Sequence, residues 1–200
     1  MENVEPTYFA EPSRDACDSF HRWREDLALV RAIGLYSYRF SIEWARIVPE
    51  PGEYSLAMLN HYKRIIHACR DLDIAPGVTF SHWTVPIWFA ALGGWTRPEA
   101  PALFAKYCER AARHLGQEIA FAVTLNEPNG LVIANRMVPQ GAKNLVEASL
   151  VTARKATGSP EFVGGTAYQY APAMQPQLLK AHRLGVDAIN AAINGRSDRI

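Results

Sequence analysis

"IAFAVTLNEP", residues 119–128, is an apolar, β-branched run that stops at an amide, a carboxylate and a proline. The run reads as a buried strand, and Asn126, Glu127 and Pro128 are residue types that strand interiors avoid. They put polar chemistry at the C-terminal tip of that strand. Two further runs end in the same way. "LYSYRFSI", 35–42, alternates, with Tyr36, Tyr38, Phe40 and Ile42 on one face and Ser37, Arg39 and Ser41 on the other. "IAPGVTFSHW", 74–83, closes on Ser81, His82 and Trp83.

The segments between these runs have helical spacing. Phe20, Trp23, Leu27, Val30 and Ile33 mark a helix over 19–33, with Gly34 as its C-terminal stop. A second helix is predicted at about 55–72, with Leu56, Leu59, Tyr62, Ile65 and Cys69 on its inner stripe. A third runs over about 98–115 and uses Leu103, Tyr107, Ala111 and Leu115. The stretch 129–175 reads as largely irregular, apart from a short helix at "KNLVEASLVTARKA". A fourth full helix at about 177–193 is expected to bury Leu178, His182, Val186, Ile189 and Ile193. Glu43, Trp44 and Arg46 open the loop after the first strand, either rimming a pocket or lying exposed.

Strands and helices alternating every 40–45 residues or so imply parallel strands joined by right-handed crossovers. Doubly wound sheets and (β/α) barrels share that rhythm. Neither GxGxxG nor a P-loop occurs. In both architectures ligands bind at the C-terminal strand edge, where the polar residues of this chain gather.

Composition narrows the function. With 48% hydrophobic residues in 200, the chain can bury one sizeable core. Twenty-one basic and 20 acidic residues leave a net charge of +1, so no global field favours nucleic acid or an anionic membrane. No apolar run reaches bilayer length. The opening "MENVEPTYFAEPSRD" carries acids where a secretory signal carries a basic and then an apolar region, so a cytoplasmic location is expected. Cys17, Cys69 and Cys108 form an odd set without CxxC spacing and are expected to be reduced and buried. No metal site or cofactor motif is expected, because the six histidines do not cluster with the thiols.

Glu127 is the sharpest catalytic candidate. A carboxyl at a strand lip, partly desolvated by neighbours, can serve as a general acid, and Pro128 is expected to hold the Glu127 backbone extended. The plainer alternative is an N-cap carboxylate opening the next helix, with Pro128 at its first position. Asn126 offers both donor and acceptor to a sugar hydroxyl. His82 and Trp83 suit the polar rim and apolar face of a sugar ring, or equally a core pair. Arg39, mid-strand on the small polar face, needs a carboxylate partner or a wet pocket.

Taken in order, "HRWREDLALVRAIGL", "YRFSIEWARI", "FSHWTVP", "GGW" and "TLNEP" resemble glycoside hydrolase family 1, the β-glucosidase and β-galactosidase family. The resemblance is strong over about 17–130 and weaker beyond. It implies a (β/α)8 TIM-type barrel of which residues 1–200 form one incomplete domain, about strands 2–4 with their helices. It further implies a retaining β-glycosidase without cofactor, acting on the non-reducing end of a β-glycoside or oligosaccharide. Residue by residue, it makes Glu127 the general acid/base and Asn126 the partner of the 2-hydroxyl. His82 and Trp83 shape the same subsite, and Arg39 supports the nucleophile. Where the family often has Asp after His-Trp, this chain has Thr84.

A retaining mechanism needs a second carboxylate about 5–5.5 Å from the first. In the family it lies in a Thr/Ser-Glu-Asn-Gly strand near the C-terminus, and no such motif occurs here. The first strand and strands 5–8 are expected to be missing, with "RSDRI" falling near the start of a fifth. The chain alone is therefore expected to be inactive or nearly so. The alternatives are a non-catalytic carbohydrate binder and a partial barrel that pairs, through open strand edges, with itself or a complementing half.

Overall fold

The computed structural model describes residues 5–7 and 11–194. Part of the opening segment and the terminal "RSDRI" lie outside the described residues. Three strands, β1 (Ser37–Ser41), β2 (Ala75–Ser81) and β3 (Phe121–Leu125), form a parallel sheet in the order β1-β2-β3. Ser37 to Ser41 stand beside Ala75 to Thr79, and Gly77 to Thr79 stand beside Phe121 to Val123. The register aligns Arg39, Gly77 and Phe121 across one face. On the other face Val78 and Phe80 are fully buried.

Helices α1 (Ser19–Ala32), α3 (Leu56–Asp71) and α5 (Ala100–Leu115) follow the expected pattern closely. The Ser55 hydroxyl caps α3 by accepting from the Met58 amide at 3.3 Å. Gly116, at φ 83°, closes α5. The predicted stripes need trimming at their ends. Ile33 and Leu56, at helix ends, and Tyr36, just before β1, are exposed.

Three corrections are larger. First, Trp44 is neither rim nor exposed loop. It opens a short helix, α2 (Trp44–Ile47), and is 1% exposed. It stacks on Tyr107 at 5.2 Å and meets Phe89, Trp95 and Phe104 at 4.7, 6.0 and 5.6 Å, so it is a hub of the aromatic core. Arg46 of α2 lies 4.1 Å above the Phe20 ring. Second, the segment expected to be irregular is mostly helical. After α4 (Ile87–Ala91), α5 and β3, it forms α6 (Gly130–Met137) and α7 (Gln140–Thr157), separated by Val138 and Pro139. Third, α8 (Ala171–Asn194) buries Leu178, Ala181, Gly185 and Ile189, while His182 and Val186 are exposed. A β-carbon on Gly185 would stand 3.1 Å from Phe104 and 3.4 Å from Thr124. The small residues therefore let α8 lie close against α5 and β3.

Cys69 and Cys108 are buried as expected, but Cys17 is exposed. No described helix is long and apolar enough to cross a membrane.

Candidate active site

The three strand tips meet. Arg39 sits mid-β1 with its side chain on the open face, where Nε donates to Thr79 Oγ1 at 2.7 Å. Its Nη2 donates to Asn126 Oδ1 just beyond β3. Because Oδ1 is turned to Arg39, the Asn126 amide nitrogen is left to donate elsewhere. The Asn126 backbone is fixed as well, its N–H donating to Ser81 O at 2.9 Å. Beyond β2, the His82 ring shares a 2.9 Å hydrogen bond through Nδ1 with the Ser41 hydroxyl. Trp83 Nε1 donates to Asn126 O at 3.0 Å. Arg39, His82, Trp83 and Asn126 thus stand together, drawn from sequence positions as far as 87 residues apart, and Glu127 lines one cleft with Trp83 and Asn126.

Glu127 departs from expectation in its backbone and its surroundings. It is exposed rather than partly desolvated, and its φ of 44° is left-handed, not extended. Pro128 disfavours the right-handed region for Glu127, and the chain's sharp turn, closed by Gly130 N–H on Glu127 O at 2.8 Å, selects the strained alternative. The N-cap reading does not hold either. Asn129 occupies that position before α6, and no side-chain cap is made there. Glu127 instead lines a small cleft with Trp83, Trp95, Leu131, Gly165 and Leu178.

A broader, mostly apolar cleft opens on the other side of Trp83, walled by His82, Val85, Ile87, Phe162 and Thr166. Gly165 borders both clefts, and a β-carbon there would fall 1.9 Å from the Trp83 carbonyl oxygen. Thr79 and Gly165 were not among the candidates read from sequence. Thr79 was within reach, since strand alternation puts it on the face of Arg39, whereas Gly165 lies in a segment with no periodicity to read. Among the described residues, no three His, Cys, Asp or Glu side chains gather in a way that would hold a metal ion.

A parallel sheet with polar residues at its C-terminal edge places them where barrels and doubly wound folds bind their ligands. The model of "Glycosyl hydrolase family 1" matches residues 4–151, and the chain belongs to that family. Among curated relatives, the 1,4-β-D-glucan glucohydrolase of Thermotoga neapolitana is 38% identical over 114 residues, 56% of this chain and 27% of that protein. Myrosinase 1 of Brevicoryne brassicae is 37% identical over 115 residues, 56% of this chain and 25% of the relative. Among solved structures, the apo structure of a β-glucosidase designated 1317 superposes with a TM-score of 0.91 at 37% identity, covering 98% of this chain and 48% of that one. The family 1 β-glucosidase of Thermotoga maritima gives 0.68 at 30% identity, over 89% and 36%. The chain thus spans about half of the first of these structures, and its matched part about a quarter of the curated relatives.

Proposed function

We propose that this chain carries the acid/base portion of a retaining β-glycosidase site of the β-glucosidase type, and that residues 1–200 act as one partial barrel domain. The observation that carries the reading is the Arg39–Asn126 hydrogen bond. It joins the middle of β1 to the tip of β3, sets the amide nitrogen of Asn126 as a donor and leaves Arg39 Nη1 available to a carboxylate.

In this reading Glu127 gives its proton to the leaving glycosidic oxygen while a second carboxylate attacks the anomeric carbon. Glu127 then takes a proton from water as the glycosyl–enzyme bond is hydrolysed. Asn126 Nδ2 donates to the 2-hydroxyl oxygen, a contact that strengthens in the transition state. His82 and Trp83 hold the same sugar, and Arg39 favours the ionised form of the nucleophile by opposite charge. The substrate class is a β-glycoside or oligosaccharide. The chain contains no Thr/Ser-Glu-Asn-Gly motif, so by itself it leaves β-glycosides intact.

The test is a fusion of this chain to the part of β-glucosidase 1317 that it does not match. The chain alone is expected to turn over an aryl β-glucoside at background rate. The fusion is expected to hydrolyse it, with Glu127→Gln lowering kcat by about 10²–10⁴-fold. An ordinary enzyme rate from the unfused chain, or a fusion indifferent to Glu127→Gln, overturns the proposal.

A self-assembling partial barrel is the second reading. Among the described residues, β1 and β3 each pair with β2 alone, which leaves two strand edges to take up another strand.

A further inference from the structure

Trp83 lies at the centre of a three-residue turn. Its φ is 70°, and the Thr84 N–H donates to His82 O at 2.9 Å. A turn of this kind with positive φ is rare and strained, and such strain persists only where the surroundings hold it. Each residue of this turn has its own tether. Ser41 holds the His82 ring, and the Asn126 carbonyl holds the Trp83 indole. The third tether is made by residues that the proposed chemistry does not use. The Thr84 hydroxyl lies 2.9 and 2.8 Å from the two Glu43 carboxylate oxygens, donating its one proton to that carboxylate.

Glu43 is itself fixed from two sides. Its carboxylate accepts from the Ala45 amide at 3.3 Å, capping α2, and its own N–H donates to Tyr62 Oη at 3.1 Å. Glu43 therefore anchors the turn to the aromatic core through α2 and α3.

We propose that Glu43 and Thr84 are positioning residues, a hydroxyl–carboxylate clamp that holds the strained turn and so sets where His82 and Trp83 stand. The sugar-site part of this inference rests on the function proposed above. The clamp requires one donor facing one acceptor. An Asp at 84, the residue often found there in the family, would set two carboxylates against each other, so Thr84 is the counterpart that Glu43 demands.

The test uses the 200-residue chain and NMR of its tryptophan indoles, with Trp83→Phe to assign the resonance. Glucoimidazole, a ligand of the Thermotoga maritima structure, is the probe. Thr84→Val is expected to speed exchange of the Trp83 indole proton by about ten-fold and weaken the probe by a similar factor. Thr84→Ser is expected to restore both. Thr84→Asp is expected to loosen the turn, and Glu43→Ser added to Thr84→Asp to tighten it again, with hydroxyl and carboxylate exchanged. Trp44 and Trp95 are buried in the core and report whether the fold survives. Should Thr84→Val unfold the chain, Thr84→Asp against the double variant decides.

Unchanged exchange in Thr84→Val, or a double variant no tighter than Thr84→Asp, overturns the clamp. A loosened indole in a chain whose parent never binds glucoimidazole leaves the clamp standing and counts against the sugar site instead.

Discussion

Trp44→Phe is a sharp test of the core, because the alternatives for Trp44 differ in energy as well as position. The side chain is 1% exposed and packed by aromatic rings on several sides. Phenylalanine leaves roughly 40 Å³ unfilled, which costs about 1 kcal/mol at about 24 cal/mol per Å³. The lost burial of the missing ring atoms adds about another 1 kcal/mol. The expected loss is therefore about 2 kcal/mol, against at most about 0.5 kcal/mol for an exposed loop residue. Urea unfolding followed by far-ultraviolet circular dichroism reads the difference as a lowered midpoint at unchanged slope. A loss below about 0.5 kcal/mol would refute the placement of Trp44 at the centre of the core.

Gly165→Ala drives a β-carbon to 1.9 Å from the Trp83 carbonyl oxygen, and backbone must move to relieve it. A loss of about 1–3 kcal/mol is expected, together with weaker glucoimidazole binding by calorimetry; a neutral substitution would mean that the two loops are not in contact. His61 is buried with Nε2 lacking a hydrogen-bond partner, and burial, then Arg64 and Arg46, hold its pKa below the usual 6.5. The folded state therefore binds the proton less readily than the unfolded chain. The contribution is complete above about pH 6.5 and is lost as pH falls below it, a slope that His61→Phe is expected to remove from a thermal-melt series. Among the described residues β1 and β3 each pair with β2 alone, which predicts concentration-dependent association, visible by light scattering; a monomer at every concentration would count against edge pairing.

The strands were legible because β-branched and aromatic runs mark them, and the tips of β2 and β3 because those runs close on Ser81 and His82 and on Asn126 and Glu127. The helix at α2 was not, since four residues show no period and Trp44 follows a charged residue, with Arg46 two positions on. Helix α6 was silent for another reason. None of its residues is fully buried, and only Leu131 and Ala134 pack partly against the core, so its inner stripe is too short to stand out. In α8, helical spacing counted from Leu178 selects His182 and Val186, whereas close packing against α5 selects Ala181 and Gly185. At Glu127 the local rule about residues preceding proline was sound, but the turn into α6 overrode it.

The three cysteines have sharply different environments. Burial raises the Cys69 thiol to about 11 and pushes Cys108 well above its ordinary value, while a hydrogen bond from Ser19 lowers exposed Cys17. A thiol-directed probe at mild pH therefore modifies this protein at one site, in the loop before α1. The wild-type chain needs no engineering to carry a single spin label or fluorophore there. Paired with a second label at a strand tip, it would report how the segment before α1 stands relative to the cleft beside Trp83 when a ligand is added.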